Sequence, residues 1–176
     1  MAVGSSWTRS TALAAVTALG ASALITGPAH AEPLGLLQCQ GTETVTYSPG
    51  VTFQPRDIDI TTDGRFGSCV DGEGGVTSGS YGERFTILAG CNDLLDGFQG
   101  PRTFTWNTGD TSVIEATGSS TAVAGQVVTT ITGTVTHGRF QGRTATQIIV
   151  LPQAGLLSCL TTGVTGTTGV TTLTLA

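Results

Sequence analysis

The stretch Val127-Val-Thr-Thr-Ile-Thr-Gly-Thr-Val-Thr136 decides the fold class. Val127, Ile131 and Val135 share one parity, whereas Val128, Thr130, Thr132, Thr134 and Thr136 share the other. Successive side chains of a strand point to opposite faces, so this is a strand with one apolar buried face and one Thr-lined face that meets water. The same period recurs on either side of it, in Val45 and Tyr47, Ile58 and Ile60, Phe85 and Ile87, and Phe104 and Trp106. After Ala31 no window of comparable length places apolar residues at three-and-four spacing, which predicts very little helix.

Turn chemistry then cuts the chain at Pro49-Gly50, Asp63-Gly64, Asp71-Gly72, Gly74-Gly75, Asp96-Gly97, Gly109-Asp110, Gly118, His137-Gly138 and Gly155. The cuts leave about eight strands, near 39–48, 56–62, 76–90, 101–107, 111–117, 125–136, 143–151 and 168–175. The expectation is an all-β chain forming a single-domain antiparallel β-sandwich, with a closed β-barrel as the alternative.

Composition agrees and narrows the partners. The 176 residues include 33 Thr and 26 Gly, which suits short strands and tight turns, and at 39% hydrophobic the chain is too apolar to stay disordered. There are seven Arg, no Lys and twelve Asp plus Glu. Such an acidic, Lys-free surface repels phosphate backbones, and nucleic-acid binding is excluded on that ground.

Residues 1–31 read as a cleaved secretory signal. Arg9 is followed by an apolar run from Thr11 to Ile25, and Ala29-His-Ala31 gives the small-residue cleavage pattern. The run is too short for a membrane span, which needs about 20 residues. The mature chain is then residues 32–176, one domain starting at Glu32, with six Arg against twelve acids and a net charge of −6. The expected location is outside the cell.

Export gives the four cysteines their meaning. Cys39, Cys69, Cys91 and Cys159 are an even set without a Cys-x-x-Cys pair, so two structural disulfides are expected rather than a metal site or a redox motif. Segments 39–48 and 56–69 are mirror-placed about Pro49-Gly50 to Pro55, and antiparallel pairing sets Cys39 opposite Cys69. That ranks Cys39–Cys69 with Cys91–Cys159 first of the three connectivities. Two loops of this length are together worth roughly 8 kcal/mol in the chain-entropy account, about 4 each.

Several segments also carry a resemblance: the signal ending Ala29-His-Ala31, Cys39-Gln-Gly-Thr-Glu-Thr-Val-Thr-Tyr-Ser-Pro-Gly50, Gly67-Ser-Cys69, Phe104-Thr-Trp106, Gly133-Thr-Val-Thr-His-Gly-Arg-Phe140 and Leu156-Leu-Ser-Cys-Leu160. Together they resemble a group of small exported proteins of actinomycetes, over essentially the whole mature chain. The resemblance implies export and a compact disulfide-bonded β domain, and it brings no catalytic residue to any position.

Catalytic constellations are sparse. His137 is the sole mature imidazole, at the end of a predicted strand, and no Gly-x-Ser-x-Gly elbow accompanies it. One His without free Cys builds no zinc site, so neither metal nor cofactor is expected. Asp57 and Asp59 share a strand face about 7 Å apart, a separation that suits glycoside hydrolysis if a sugar cleft lies beside them. Trp106 and Tyr81 are the aromatic residues able to offer a sugar platform.

The leading expectation is a secreted, non-catalytic β-sandwich that binds an extracellular ligand or cell-surface glycan or acts structurally. One alternative is a small glycan-acting hydrolase using a carboxylate pair. The other is a barrel-type carrier of an apolar small molecule, with Trp106 in its mouth.

Overall fold

A computed structural model describes residues 37–153 and 155–176, so the expected signal segment and the expected start at Glu32 lie outside the described residues. The chain is all-β and follows the barrel alternative. Eight antiparallel strands run in order: β1 (Leu37–Val51), β2 (Arg56–Asp71), β3 (Gly79–Ala89), β4 (Phe98–Trp106), β5 (Thr111–Val123), β6 (Gln126–Gly138), β7 (Thr144–Pro152) and β8 (Val164–Leu175). Each pairs with the next and β8 returns to β1, from Leu37 opposite Leu175 to Val51 opposite Val164. A five-residue helix, α1 (Leu156–Leu160), interrupts the β7–β8 connection.

Closure replaces two sheets by one through the β1–β8 pairing, and the strands are longer than the turn residues suggest. Asp63-Gly64 and Gly118 do not end strands. β2 runs through Gly64 to Asp71 and β5 runs through Gly118 to Val123. Both glycines are notches for rings: a Cβ on Gly64 would sit 2.0 Å from Cζ of Tyr81, and one on Gly118 would sit 2.3 Å from Cε1 of Phe98. Pro49-Gly50 likewise falls inside β1 rather than in a turn.

The two ends of the barrel differ. The closed end is plugged by an aromatic stack in which Tyr81, Phe66 and Phe104 lie 5.4–5.9 Å apart, Phe104 stacks on Trp106 at 5.7 Å, and Phe140 meets Trp106 edge-on at 5.9 Å. Leu37, Ile114, Ile131, Val135, Leu173 and Leu175 complete this core. Arg139 ties its turns together, binding Asp71 at 3.1 Å, Asp110 at 3.3 Å and the carbonyl of Gly74 at 2.9 Å.

The opposite end carries the β3–β4 loop and α1. The disulfide Cys91–Cys159 joins these two, and Cys39–Cys69 links β1 to β2 at the closed end, where the two residues are direct strand partners. This is the connectivity that the mirror spacing ranks first. Among the described residues no helix is long and apolar enough to cross a membrane.

Candidate functional site: a cavity above a polar floor

The interior is divided by a layer of polar side chains. Glu43 on β1, Tyr81 and Glu83 on β3, Arg102 on β4, Gln147 on β7 and Thr171 on β8 all take the inward parity of their strands. Burying such groups is costly unless they are paired, and these are. Arg102 donates from Nε and Nη2 to the two carboxylate oxygens of Glu83 at 2.7 and 2.9 Å, and from Nη1 to Gln147 Oε1 at 2.9 Å. Gln147 donates to Thr171 Oγ1 at 2.9 Å, and the Tyr81 hydroxyl donates to Glu43 Oε2 at 2.5 Å. The Arg102 guanidinium also lies 4.9 Å from the centre of the Tyr81 ring and 4.0 Å from Glu43 Oε2.

These contacts set the protonation of the floor. Burial pushes the Glu43 carboxyl above its ordinary range, and the Tyr81 hydrogen bond and the Arg102 charge only partly reverse this. Tyr81 is driven up by burial and then by the neighbouring Glu43 charge, so it stays a phenol. Burial alone would lower Arg102, but the bond and charge of Glu83 outweigh it and the guanidinium stays charged.

Above the floor lies a cavity of about 1000 Å³. Its walls are Val45, Tyr47, Ile60, Thr62, Ala116, Val127, Thr129, Ile149, Leu151 and Val164, with Glu43 and Arg102 beneath. Eight-stranded barrels are just wide enough to be filled by side chains or to enclose one small cavity, and this barrel is filled by the aromatic plug at one end and leaves a cavity at the other.

The cavity reaches the surface through the wall between β3 and β4. Backbone pairing there stops after three positions, the last being Tyr81 opposite Phe104. The next inward pair is Glu83 with Arg102, so their ion pair takes over where the ladder ends. Beyond it the strands part. On β1, β2, β5 and β6 only inward-facing residues line the cavity, whereas on β3 and β4 consecutive residues of both parities do, as Gly82 to Phe85 and Phe98 to Thr103. Phe85, Ile87 and Phe98 are inward by parity yet 43%, 38% and 40% exposed, because no facing strand covers them.

The residues singled out from sequence are not brought together. Trp106 is 3% exposed and packs in the closed end, its indole nitrogen donating to Ser112 Oγ at 2.8 Å. It therefore lies in the plug and not in a mouth. Tyr81 is buried in the floor beside a carboxylate, though that carboxylate is Glu43.

Asp57 and Asp59 take the outer parity of β2, where Asp59 accepts a bond from Thr86 Oγ1 at 2.6 Å, and neither lines the cavity. His137 is exposed on the outer face at the end of β6, its Nδ1 3.0 Å from Thr136 Oγ1. The residues that sequence reasoning missed are Glu43, Glu83, Arg102 and Gln147. Their signal was parity: Glu43 alternates with Val45 and Tyr47, Glu83 with Tyr81 and Phe85, Arg102 with Phe104 and Trp106, and Gln147 with Ala145 and Ile149.

No family model, curated protein or solved structure matches the chain.

Proposed function

We propose that the protein is a secreted, non-catalytic barrel that binds one small, predominantly apolar molecule in its cavity. The single observation that supports this reading is the cavity of about 1000 Å³, whose walls are mainly apolar and whose floor carries Glu43 and Arg102. Small-molecule sites are commonly concave and mostly apolar, with a few polar groups that fix orientation, and they range from about 300 to 1000 Å³. The exposed Phe85, Ile87 and Phe98 at the parted strands give an apolar molecule a path inside that avoids the plug. The two disulfides are compatible with an extracellular setting, where such bonds persist.

A carboxylate-pair hydrolase finds less support, since Asp57 and Asp59 take the outer parity of β2 and do not line the cavity. Titration with the neutral dye N-phenyl-1-naphthylamine tests the proposal through its fluorescence rise in apolar surroundings. A dye of about 17 heavy atoms gaining roughly 0.4 kcal/mol per atom binds with a dissociation constant on the order of 10 μM. Saturable one-to-one binding in that range is expected. Absence of saturable binding, for this dye and for aliphatic amphiphiles alike, overturns the reading.

A further inference from the structure

Resting on the cavity reading above, we infer that the ligand is a cationic amphiphile: its apolar body fills the cavity and its protonated amine pairs with Glu43. The floor holds two carboxylates, Glu43 and Glu83, against one guanidinium. Arg102 has its charge paired by Glu83, and three of its five N–H groups go to the Glu83 oxygens and Gln147 at 2.7–2.9 Å. An anionic head group therefore meets no unbalanced positive charge on the floor. Glu43 is the opposite case. It is 3% exposed and lines the cavity, its Oε2 accepts from Tyr81, and among the described residues no donor reaches Oε1. That oxygen is open to the cavity and so within reach of a donor placed there, and a cationic donor also balances the floor at two charges of each sign.

The approach has the same sign. The ionisable acids and bases that line the cavity, from floor to rim, are Glu43, Glu83, Asp93 and Asp96 against Arg84 and Arg102. A cleft with excess acid concentrates cations and repels carboxylates. The titratable and charged groups facing Glu43 are Tyr81 and Glu83 from β3, Arg102 from β4 and Tyr47 from its own strand. Tyr47 is pushed up by burial and by the Glu43 charge, so it stays neutral. The remaining neighbours, Gln147 and Thr171, are neutral as well. Glu43 is then the group whose protonation controls binding of an amine in the acid range.

Calorimetric titration of the whole protein with decylamine, decanol and decanoate, chains of one length that differ in the head, tests this. Near neutral pH decylamine is expected to bind at least about tenfold tighter than decanoate, with decanol between them. Glu43→Gln keeps an acceptor for Tyr81 and removes the charge. In it the amine advantage is expected to fall to within about threefold, while decanol changes by less than about threefold. In the wild type the amine weakens as the pH falls through the Glu43 titration, and in Glu43→Gln that pH dependence is expected to shrink.

Decanoate binding as tightly as decylamine, or a preference that survives Glu43→Gln, overturns the inference. Equal binding of all three chains, alongside saturable binding of the neutral dye, overturns the inference and leaves the cavity reading standing. No binding of any chain or of the dye overturns both.

Discussion

Replacing Arg102 by Met tests whether the polar floor is a single charge-balanced unit. Met retains much of the apolar length of the side chain and removes the guanidinium, which is 4% exposed in the native fold. Three consequences follow from the geometry. Glu83, at 22% side-chain exposure, loses a two-point partner but can be hydrated. Gln147 Oε1 loses its donor. Glu43 keeps only the Tyr81 hydroxyl and loses a cation 4.0 Å away.

Removing one partner of a buried ionic network costs about 3–5 kcal/mol, because an uncompensated charge stays buried. In a domain whose whole stability is about 5–15 kcal/mol, that is a large fraction. Urea unfolding at neutral pH, followed by circular dichroism, is expected to show this loss. Adding Glu43→Gln is expected to recover at least about 1 kcal/mol, since the two sites share one network and their effects do not add.

The deficit of Arg102→Met also shrinks on acidification, with a definite sign. Glu43 has its folded pKa raised above the ordinary 4.5. It therefore favours folding fully below that value and loses this contribution as the pH rises through its folded pKa. Without Arg102 the carboxyl is raised further and the loss is larger. A loss under about 1 kcal/mol at neutral pH, or a double variant no more stable than Arg102→Met, refutes the reasoning.

Other perturbations separate the plug, the notches and the outer surface. Gly64→Ala places a Cβ where the Tyr81 ring now lies, and is expected to cost about 1–3 kcal/mol by thermal or urea melting. Trp106→Ala removes a ring packed on Phe104 and Phe140 and is expected to cost about 3–5 kcal/mol, whereas exposed His137→Ala stays within about 0.5 kcal/mol in the same melts.

Asp71 sits below its ordinary 3.8: burial pushes it up, and the N–H groups of Val76 and Glu73 with Arg139 more than reverse this. Its contribution is present above 3.8 and is lost as the pH falls through its lower folded value. Asp71→Asn is expected to cost about 1–3 kcal/mol at neutral pH and to flatten the acid limb of a stability profile.

Much of the fold was written in local alternation. Strand existence followed from period two, and the Cys39–Cys69 pairing from the spacing about Pro49-Gly50 to Pro55. Strand length was less legible, because Gly64 and Gly118 read as turns when only a partner's ring explains them: Tyr81 for one and Phe98 for the other. Closure was less legible still. It depends on β1 meeting β8, residues such as Thr44 and Thr168 whose side chains bond at 2.9 Å across 124 positions of sequence, and no local pattern encodes that meeting.

The site was hidden for a different reason. Period two marks a face as buried without showing which polar residues share it, and outward-facing acids such as Asp57 and Asp59 have the spacing of a catalytic pair. Reading Glu43, Glu83, Arg102 and Gln147 on the apolar parity finds the floor. The cavity itself requires knowing where β3 and β4 stop pairing.

The central claim, that the space above the floor is the binding site, is tested most directly by filling it. Val127 faces inward on β6 and lines the cavity, clear of the plug and of the polar network. Titration of Val127→Trp with N-phenyl-1-naphthylamine, beside a melt of the same sample, is the measurement. Loss of at least about tenfold in dye affinity with the fold retained is the predicted result. A folded Val127→Trp protein that binds the dye as the wild type does contradicts the account.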